Sequence, residues 1–145
     1  MIGRKRSAKS SQLASGSKGN ASLLSWERTH VLIDCGLRLK EIPARLADIA
    51  LTPADISAVV VTHEHNDHIG GVGPLGRKFG MPVYVTNGAR KATDGRMDKV
   101  NLRTFTPHEA FHIAGLTFNP FPVPHERGSE VGEISLRSHI TMLLE

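Results

Sequence analysis

The sequence lacks the features that mark secreted and membrane proteins. It has one cysteine, Cys35, which excludes an internal disulfide framework and a four-cysteine zinc ribbon. No apolar run is long enough to span a bilayer, and the basic N-terminus is not followed by the apolar core of a secretion signal. With 145 residues, the chain is long enough for one domain with its own core. We therefore expect a cytoplasmic protein that does not associate with membranes.

Positive charge is concentrated at the start of the chain. The net charge is +4, but residues 1–18 contain five basic residues and no acid, so the remainder carries a net charge of −1. Such a serine- and lysine-rich segment could bind phosphate groups, although it is more often a solvated, disordered tail. The overall positive charge is thus weak evidence for a nucleic-acid partner. We expect residues 1–10 to form a disordered basic tail.

The densest chemical signal follows an unbroken β-branched run. Residues 59–61 are all valine, as expected of a strand that is buried on both faces. Where this strand should end, His63, His65, Asp67 and His68 place four potential metal ligands within six residues. Imidazole and carboxylate together suit zinc, and also manganese or iron. A polar surface turn is the less favoured alternative, because four such groups rarely converge without a metal.

This motif resembles a known family signature. Residues 63–68 fit the H-x-H-x-D-H pattern of the metallo-β-lactamase fold hydrolases, and residues 13–20, 32–36 and 121–125 are similar to one branch of small bacterial hydrolases usually described as exonucleases. The resemblance implies an α+β fold, the αββα metallo-β-lactamase sandwich. Residues 11–132 would form mainly its N-terminal half.

The resemblance also implies a set of ligands. Two zinc ions are expected, the first bound by His63, His65 and His125, and the second by a site that begins with Asp67 and His68. Asp67 is the expected catalytic residue. In the family, the second site also needs a bridging aspartate and a further histidine from chain beyond residue 145. His139 is a weak candidate to substitute, since nothing in the sequence fixes its geometry.

Asp34 and Cys35 end a predicted strand near this motif. A buried carboxylate at a strand end can accept a hydrogen bond from a metal-bound histidine and fix its tautomer, and the resemblance favours this role for Asp34. The alternative is a turn aspartate that satisfies local amides. Cys35 is more typical of a small buried side chain than of a nucleophile.

The last residues, 133–145, form a divergent segment that does not match the family pattern. We therefore expect the chain to be the N-terminal part of a metallo-hydrolase. An incomplete sandwich should expose a sheet edge and apolar patches, which predicts aggregation or a homo-oligomer.

Three functions remain open at this point. The branch resembled favours metal-dependent hydrolysis of phosphodiester bonds in nucleic acid by an activated water. The same kind of centre also serves thioester, lactone and β-lactam hydrolysis, which the motif cannot distinguish. A metal-binding remnant without activity is the third possibility.

The pattern of apolar and turn residues predicts alternating strands and helices. The predicted elements are a hairpin over 21–34 that turns at Glu27-Arg28, a helix within 37–50 that either starts at Pro43 or is kinked there, a single capped turn after Thr52, a helix over 72–79 that ends at Gly80, a strand over 81–85, a short helix capped by Thr86, and a hairpin over 111–121.

Overall fold

The computed structural model of the chain describes residues 9–16, 19–62, 65–93, 95–122 and 134–140. For residues 66, 67, 121, 122 and 134–140 it describes the backbone alone. The predicted ligands His63 and His125, and the first eight residues of the predicted tail, lie outside the described residues. Within the described part, no helix is long and apolar enough to cross a membrane.

The larger sheet has six strands in the order in which they occur in the chain. These are β1 (Lys9–Ala14), β2 (Ala21–Trp26), β3 (Thr29–Ile33), β4 (Ala58–Val60), β5 (Val83–Val85) and β6 (Leu102–Thr104). The first three strands are antiparallel, whereas β3 to β6 pair in parallel. Parallel strands leave the sheet at the same edge, so the residues that follow β3 and β4 lie side by side.

The smaller sheet has three antiparallel strands. They are β7 (Phe111–Ile113), β8 (Leu116–Pro122) and β9 (Ile134–Ile140). The predicted hairpin over 111–121 corresponds to β7 and β8, which turn at Ala114 and Gly115. Residues 134–140 lie in the segment that was predicted to be divergent and form β9, which pairs along the whole of β8.

Helices provide the crossovers between the parallel strands. They are α1 (Ile42–Ala47), α2 (Asn66–Ile69), α3 (Val72–Phe79) and α4 (Asn87–Ala92), with single 3₁₀ turns at Leu39–Glu41 and Pro53–Asp55. α3 ends at Gly80, whose φ of 77° continues the chain in the left-handed conformation that closes many helices. Thr86 caps α4, because its hydroxyl accepts a hydrogen bond from the backbone of Ala89 at 3.1 Å.

β4 is buried on both faces, as its valine run predicts. Its Val59 packs into a cluster with Leu46 of α1 and Leu75 of α3, so the helices cover this face of the sheet. Its Val60 packs into a second cluster with Phe118 of β8, so the smaller sheet covers the other face. The described residues thus form helix, sheet and sheet layers in that order.

Three observations differ from the sequence predictions. β1 begins at Lys9, so two residues of the predicted tail pair with β2. α1 covers only Ile42–Ala47 of the predicted range 37–50, because Leu39–Glu41 forms a separate 3₁₀ turn before it and the chain turns after it. Among side chains whose burial is described, Phe79 is the single large apolar one that is exposed, so no broad apolar patch is seen there.

Candidate metal centre

Asp34 follows β3 at the edge of the sheet where the motif begins. Its backbone N–H donates to the carbonyl of Val60 at 2.8 Å, which extends the pairing of β3 with β4 by one residue. The residue has a φ of 62°, a conformation that aspartate tolerates better than most residues. Its side chain is 7% exposed, so its carboxylate needs hydrogen-bond donors within the protein.

Thr62 and His68 supply those donors. The Thr62 backbone N–H donates to Oδ1 of Asp34 at 2.6 Å, and the Thr62 hydroxyl donates to Oδ2. Nδ1 of His68 lies 2.9 Å from the same Oδ2. Because an ionised carboxylate only accepts, Nδ1 carries the ring proton, and Nε2 is the nitrogen through which His68 could bind a metal.

A tight helical turn presents the motif residues. The carbonyl of His65 accepts hydrogen bonds from the backbone of His68 at 2.8 Å and of Ile69 at 3.0 Å, so α2 starts directly after His65. The side chain of His65 is exposed, and that of His68 is 21% exposed. His65 therefore lies at the start of the turn that carries His68.

The loop after β3 holds this turn through its backbone. Cys35 N–H donates to the carbonyl of His68 at 2.7 Å, and Gly71 N–H donates to the carbonyl of Cys35 at 2.8 Å. A Cβ atom at Gly71 would lie 1.9 Å from the carbonyl oxygen of Leu37, so no larger residue fits without a shift of the backbone. His68 is therefore anchored at both its ring and its main chain.

The side chain of Cys35, which belongs to this loop, is fully buried. Burial raises the pKa of the Cys35 thiol to about 12, and the nearby Asp34 charge acts in the same direction, opposed by a hydrogen bond to Leu37. A thiol with such a pKa stays neutral at physiological pH and is a poor nucleophile. The predicted role of Cys35 as a buried side chain agrees with this environment.

The small-residue loop before β2 lies against the same region. Gly36 N–H donates to the carbonyl of Asn20 at 2.9 Å, and the Asn20 side chain closes the loop through two hydrogen bonds to Gly16, at 3.2 and 3.0 Å. Three chain segments that are distant in sequence thus meet beside Asp34.

Comparison with known proteins identifies the family. The model for the metallo-beta-lactamase superfamily matches residues 15–141. The chain belongs to this superfamily. Among solved structures, the metallo-beta-lactamase fold protein YhfI from Bacillus subtilis superimposes with a TM-score of 0.71 at 19% identity, over 91% of this chain and 58% of YhfI. The predicted family and fold are confirmed.

Two exodeoxyribonucleases are similar in sequence to this superfamily member. WalJ from Streptococcus pneumoniae is 37% identical over 123 residues, which are 81% of this chain and 46% of WalJ. YycJ from Bacillus anthracis is 45% identical over 75 residues, which are 52% of this chain and 28% of YycJ. The chain thus spans less than half the length of these curated relatives.

Within this superfamily member, the structure brings together some of the predicted site residues. Asp34 and His68 are in contact, and His65 starts the turn that carries His68. Asp67 lies in α2 with only its backbone described, and His63 and His125 lie outside the described residues. Accordingly, no three metal-binding side chains within the described ranges form a ligand group.

Two further residues bear on the predicted site. Thr62 contributes two hydrogen bonds that sequence analysis did not predict, since a threonine at a strand end carries no periodic or motif signal. His139, considered as a substitute ligand, lies in β9 with Thr117 as its register partner, and its side chain is not described.

Proposed function

We propose that this chain is a metal-dependent hydrolase that cleaves phosphodiester bonds in nucleic acid in an exonuclease-like reaction. The observation that carries the proposal is the contact between the buried Asp34 and His68, the last histidine of the H-x-H-x-D-H motif. A histidine whose Nδ1 is held by a buried carboxylate is oriented as metal ligands usually are. The exodeoxyribonuclease names of WalJ and YycJ favour nucleic acid over other substrates of the superfamily.

The donor set fits a divalent cation. We infer that His63, His65 and His125 hold one zinc ion and that Asp67 and His68 begin a second site, with manganese or iron as other metals that suit imidazole and carboxylate. When bound, such a cation lowers the pKa of a water molecule and stabilises negative charge on the phosphate. Asp67 is the proposed catalytic carboxylate.

The described residues prepare this site. Asp34 keeps the proton of His68 on Nδ1, and Thr62 restrains the Asp34 carboxylate through two hydrogen bonds. The backbone bonds from Cys35 and Gly71 keep the turn in place. These contacts restrict the conformations of His68 and its turn before a metal binds, so metal binding loses less conformational entropy. The proposal includes a cytoplasmic location, which the single cysteine also fits.

Metal content and nuclease activity of the purified chain test the proposal together. We expect metal to be bound, and cleavage of a labelled DNA single strand or duplex to require it and to stop in EDTA. His63→Ala and His68→Ala should reduce both. His112→Ala is the matched control, because His112 is exposed on β7 and its Nδ1 lies 3.0 Å from the Thr117 hydroxyl, within the smaller sheet.

Two results would overturn the nuclease proposal. Metal-dependent turnover of a neutral thioester without cleavage of DNA or RNA would identify a small-molecule hydrolase instead. Bound metal without any turnover would identify a metal-binding remnant. His112→Ala behaving like His63→Ala would show that the loss comes from general damage to the fold.

A further inference from the structure

Basic residues are concentrated in one region of the fold as well as in the N-terminal tail. Residues 68–105 contain seven basic and two acidic residues, a net charge of +5, and residues 68–93 contain no acid at all. In contrast, residues 19–67 and 106–145 together contain six basic and twelve acidic residues. After the N-terminal tail, the chain therefore has a net positive charge only in residues 68–105.

This segment comprises α3, α4 and the edge strand β6. All seven of its basic side chains are exposed. Six of them form what we call the basic flank: Lys78, Arg90, Lys91, Arg96, Lys99 and Arg103. Asp98 is also exposed in this segment, but the basic side chains outnumber it. A surface of net positive charge attracts a polyanion and orients it before contact.

The seventh basic residue of this segment, Arg77, fixes part of the surface. Its Nη1 donates to the carbonyls of Arg96 at 3.2 Å and of Asp98 at 3.1 Å. These bonds hold the turn over 95–100 against the end of α3. The turn that carries Lys99 is thus held to α3, the helix that carries Lys78.

An aromatic side chain lies at the end of this surface. Phe79 is 37% exposed, and Nζ of Lys78 lies 5.6 Å from the centre of its ring. An exposed ring beside ammonium groups is a combination that binds nucleic-acid strands, because a base can stack on the ring while the cations bind phosphates.

We propose that the basic flank and Phe79 bind a nucleic-acid strand at a distance from the cleavage site. α3 leads away from the motif, and its eight residues span about 12 Å at 1.5 Å per residue. The flank thus contacts nucleotides several positions from the bond that is cut. The choice of nucleic acid as the polyanion rests on the proposed function, whereas binding itself can be measured without cleavage.

Salt-dependent binding of the whole chain to labelled DNA in EDTA tests the flank. The double variant Lys78→Gln/Lys99→Gln should lower the slope of log affinity against log salt by about 2, because each lysine releases about one counterion. Arg28→Gln is the matched control, since Arg28 is exposed on the turn between β2 and β3, outside the flank. Its slope should equal that of the unmodified chain.

The ring has its own test. Phe79→Ala should weaken binding of a single strand at least about fivefold and change the salt slope little, because stacking is not an ionic contact. Duplex binding should change less, since paired bases cannot stack on the ring. Equal losses for single strand and duplex would remove Phe79 from the site.

The proposal is overturned if the double lysine variant and Arg28→Gln have equal slopes, or if polyglutamate binds as tightly as DNA. The binding and cleavage results distinguish failure of this proposal from failure of the proposed function. Binding that responds as expected without any cleavage retains the flank and refutes the nuclease. Cleavage combined with unchanged slopes refutes the flank and retains the nuclease.

Discussion

Asp34 and Thr62 lie 28 residues apart in the chain, yet the carboxylate of Asp34 accepts both the backbone N–H and the hydroxyl of Thr62. With His68 on the same Oδ2, three donors converge on one buried side chain. The Thr62 hydroxyl and the His68 imidazole can each be removed by its own substitution, whereas the Thr62 backbone N–H is retained. The contributions of these two side-chain hydrogen bonds to stability and to metal binding can therefore be measured separately.

Thr62→Val should destabilise the fold by about 1–3 kcal/mol, because it removes one donor from a buried carboxylate while the size of the side chain is kept. It should also weaken metal binding, since Asp34 would hold His68 less firmly. Chemical denaturation and metal titration measure the two effects. Thr62→Ser keeps the hydroxyl and should retain metal affinity, and a valine variant that behaves like the serine variant would contradict the prediction.

Asp34→Asn should lower metal affinity about 10- to 100-fold, the usual effect of removing the group that orients a metal-bound histidine. Asparagine tolerates the positive φ of this position, so the loss would come from the changed hydrogen bond to His68. Competition titration with a zinc chelator provides the measurement. Asp48→Asn, at an exposed aspartate after α1, is the control, and equal affinities for the two variants would be evidence against the role of Asp34.

Two glycines should respond to alanine for different reasons. Gly71→Ala forces a Cβ against the carbonyl oxygen of Leu37, which should cost about 3 kcal/mol of stability and reduce metal affinity, because the turn that carries His68 has to move. Gly80→Ala meets nothing within 4 Å and should cost about 1–2 kcal/mol through its positive φ alone, with metal affinity unchanged. Unfolding and metal titrations of both variants check this contrast.

Cys35 should react with thiol reagents only when the chain unfolds. Its pKa is raised from 9.0 to about 12 by burial, so the neutral thiol stabilises the fold fully below pH 9, and this contribution is lost as the pH rises toward 12. The stability of the unmodified chain should consequently fall more steeply above pH 9 than that of Cys35→Ala. Stability measured against pH for both proteins tests this prediction. Identical pH dependence for the two proteins, or rapid alkylation of the native protein at pH 8, would contradict it.

Much of the fold could be predicted from local patterns. The valine run of β4 predicts a strand, because a strand that is buried on both faces is apolar at every position. The spacing of Val72 and Leu75 before Gly80 predicts a helix, because a helix that is buried on one face has apolar residues three or four positions apart. The prediction did not include residues 9 and 10 in β1, since Lys-Ser-Ser-Gln has no apolar alternation and is a strand only through pairing with β2. β9 likewise depends on a partner that is distant in sequence.

Only the part of the candidate site that depends on local sequence could be predicted directly. The H-x-H-x-D-H spacing is local and identifies His65 and His68 directly, whereas the position of Asp34 beside His68 follows from the parallel pairing of β3 and β4. Thr62 could not be predicted from its neighbours, because its role exists only once Asp34 is next to it. The metal-binding roles themselves remain predictions.

The bond from Asp34 N–H to the carbonyl of Val60 has a consequence for folding kinetics. It closes the parallel ladder whose register aligns Ile33 with Val60, and a slip of one residue would move Asp34 away from both Thr62 and His68. Parallel pairing forms slowly, because a long loop must close before any contact is gained. A metal that binds only the correct register would thus slow unfolding and leave the folding rate almost unchanged.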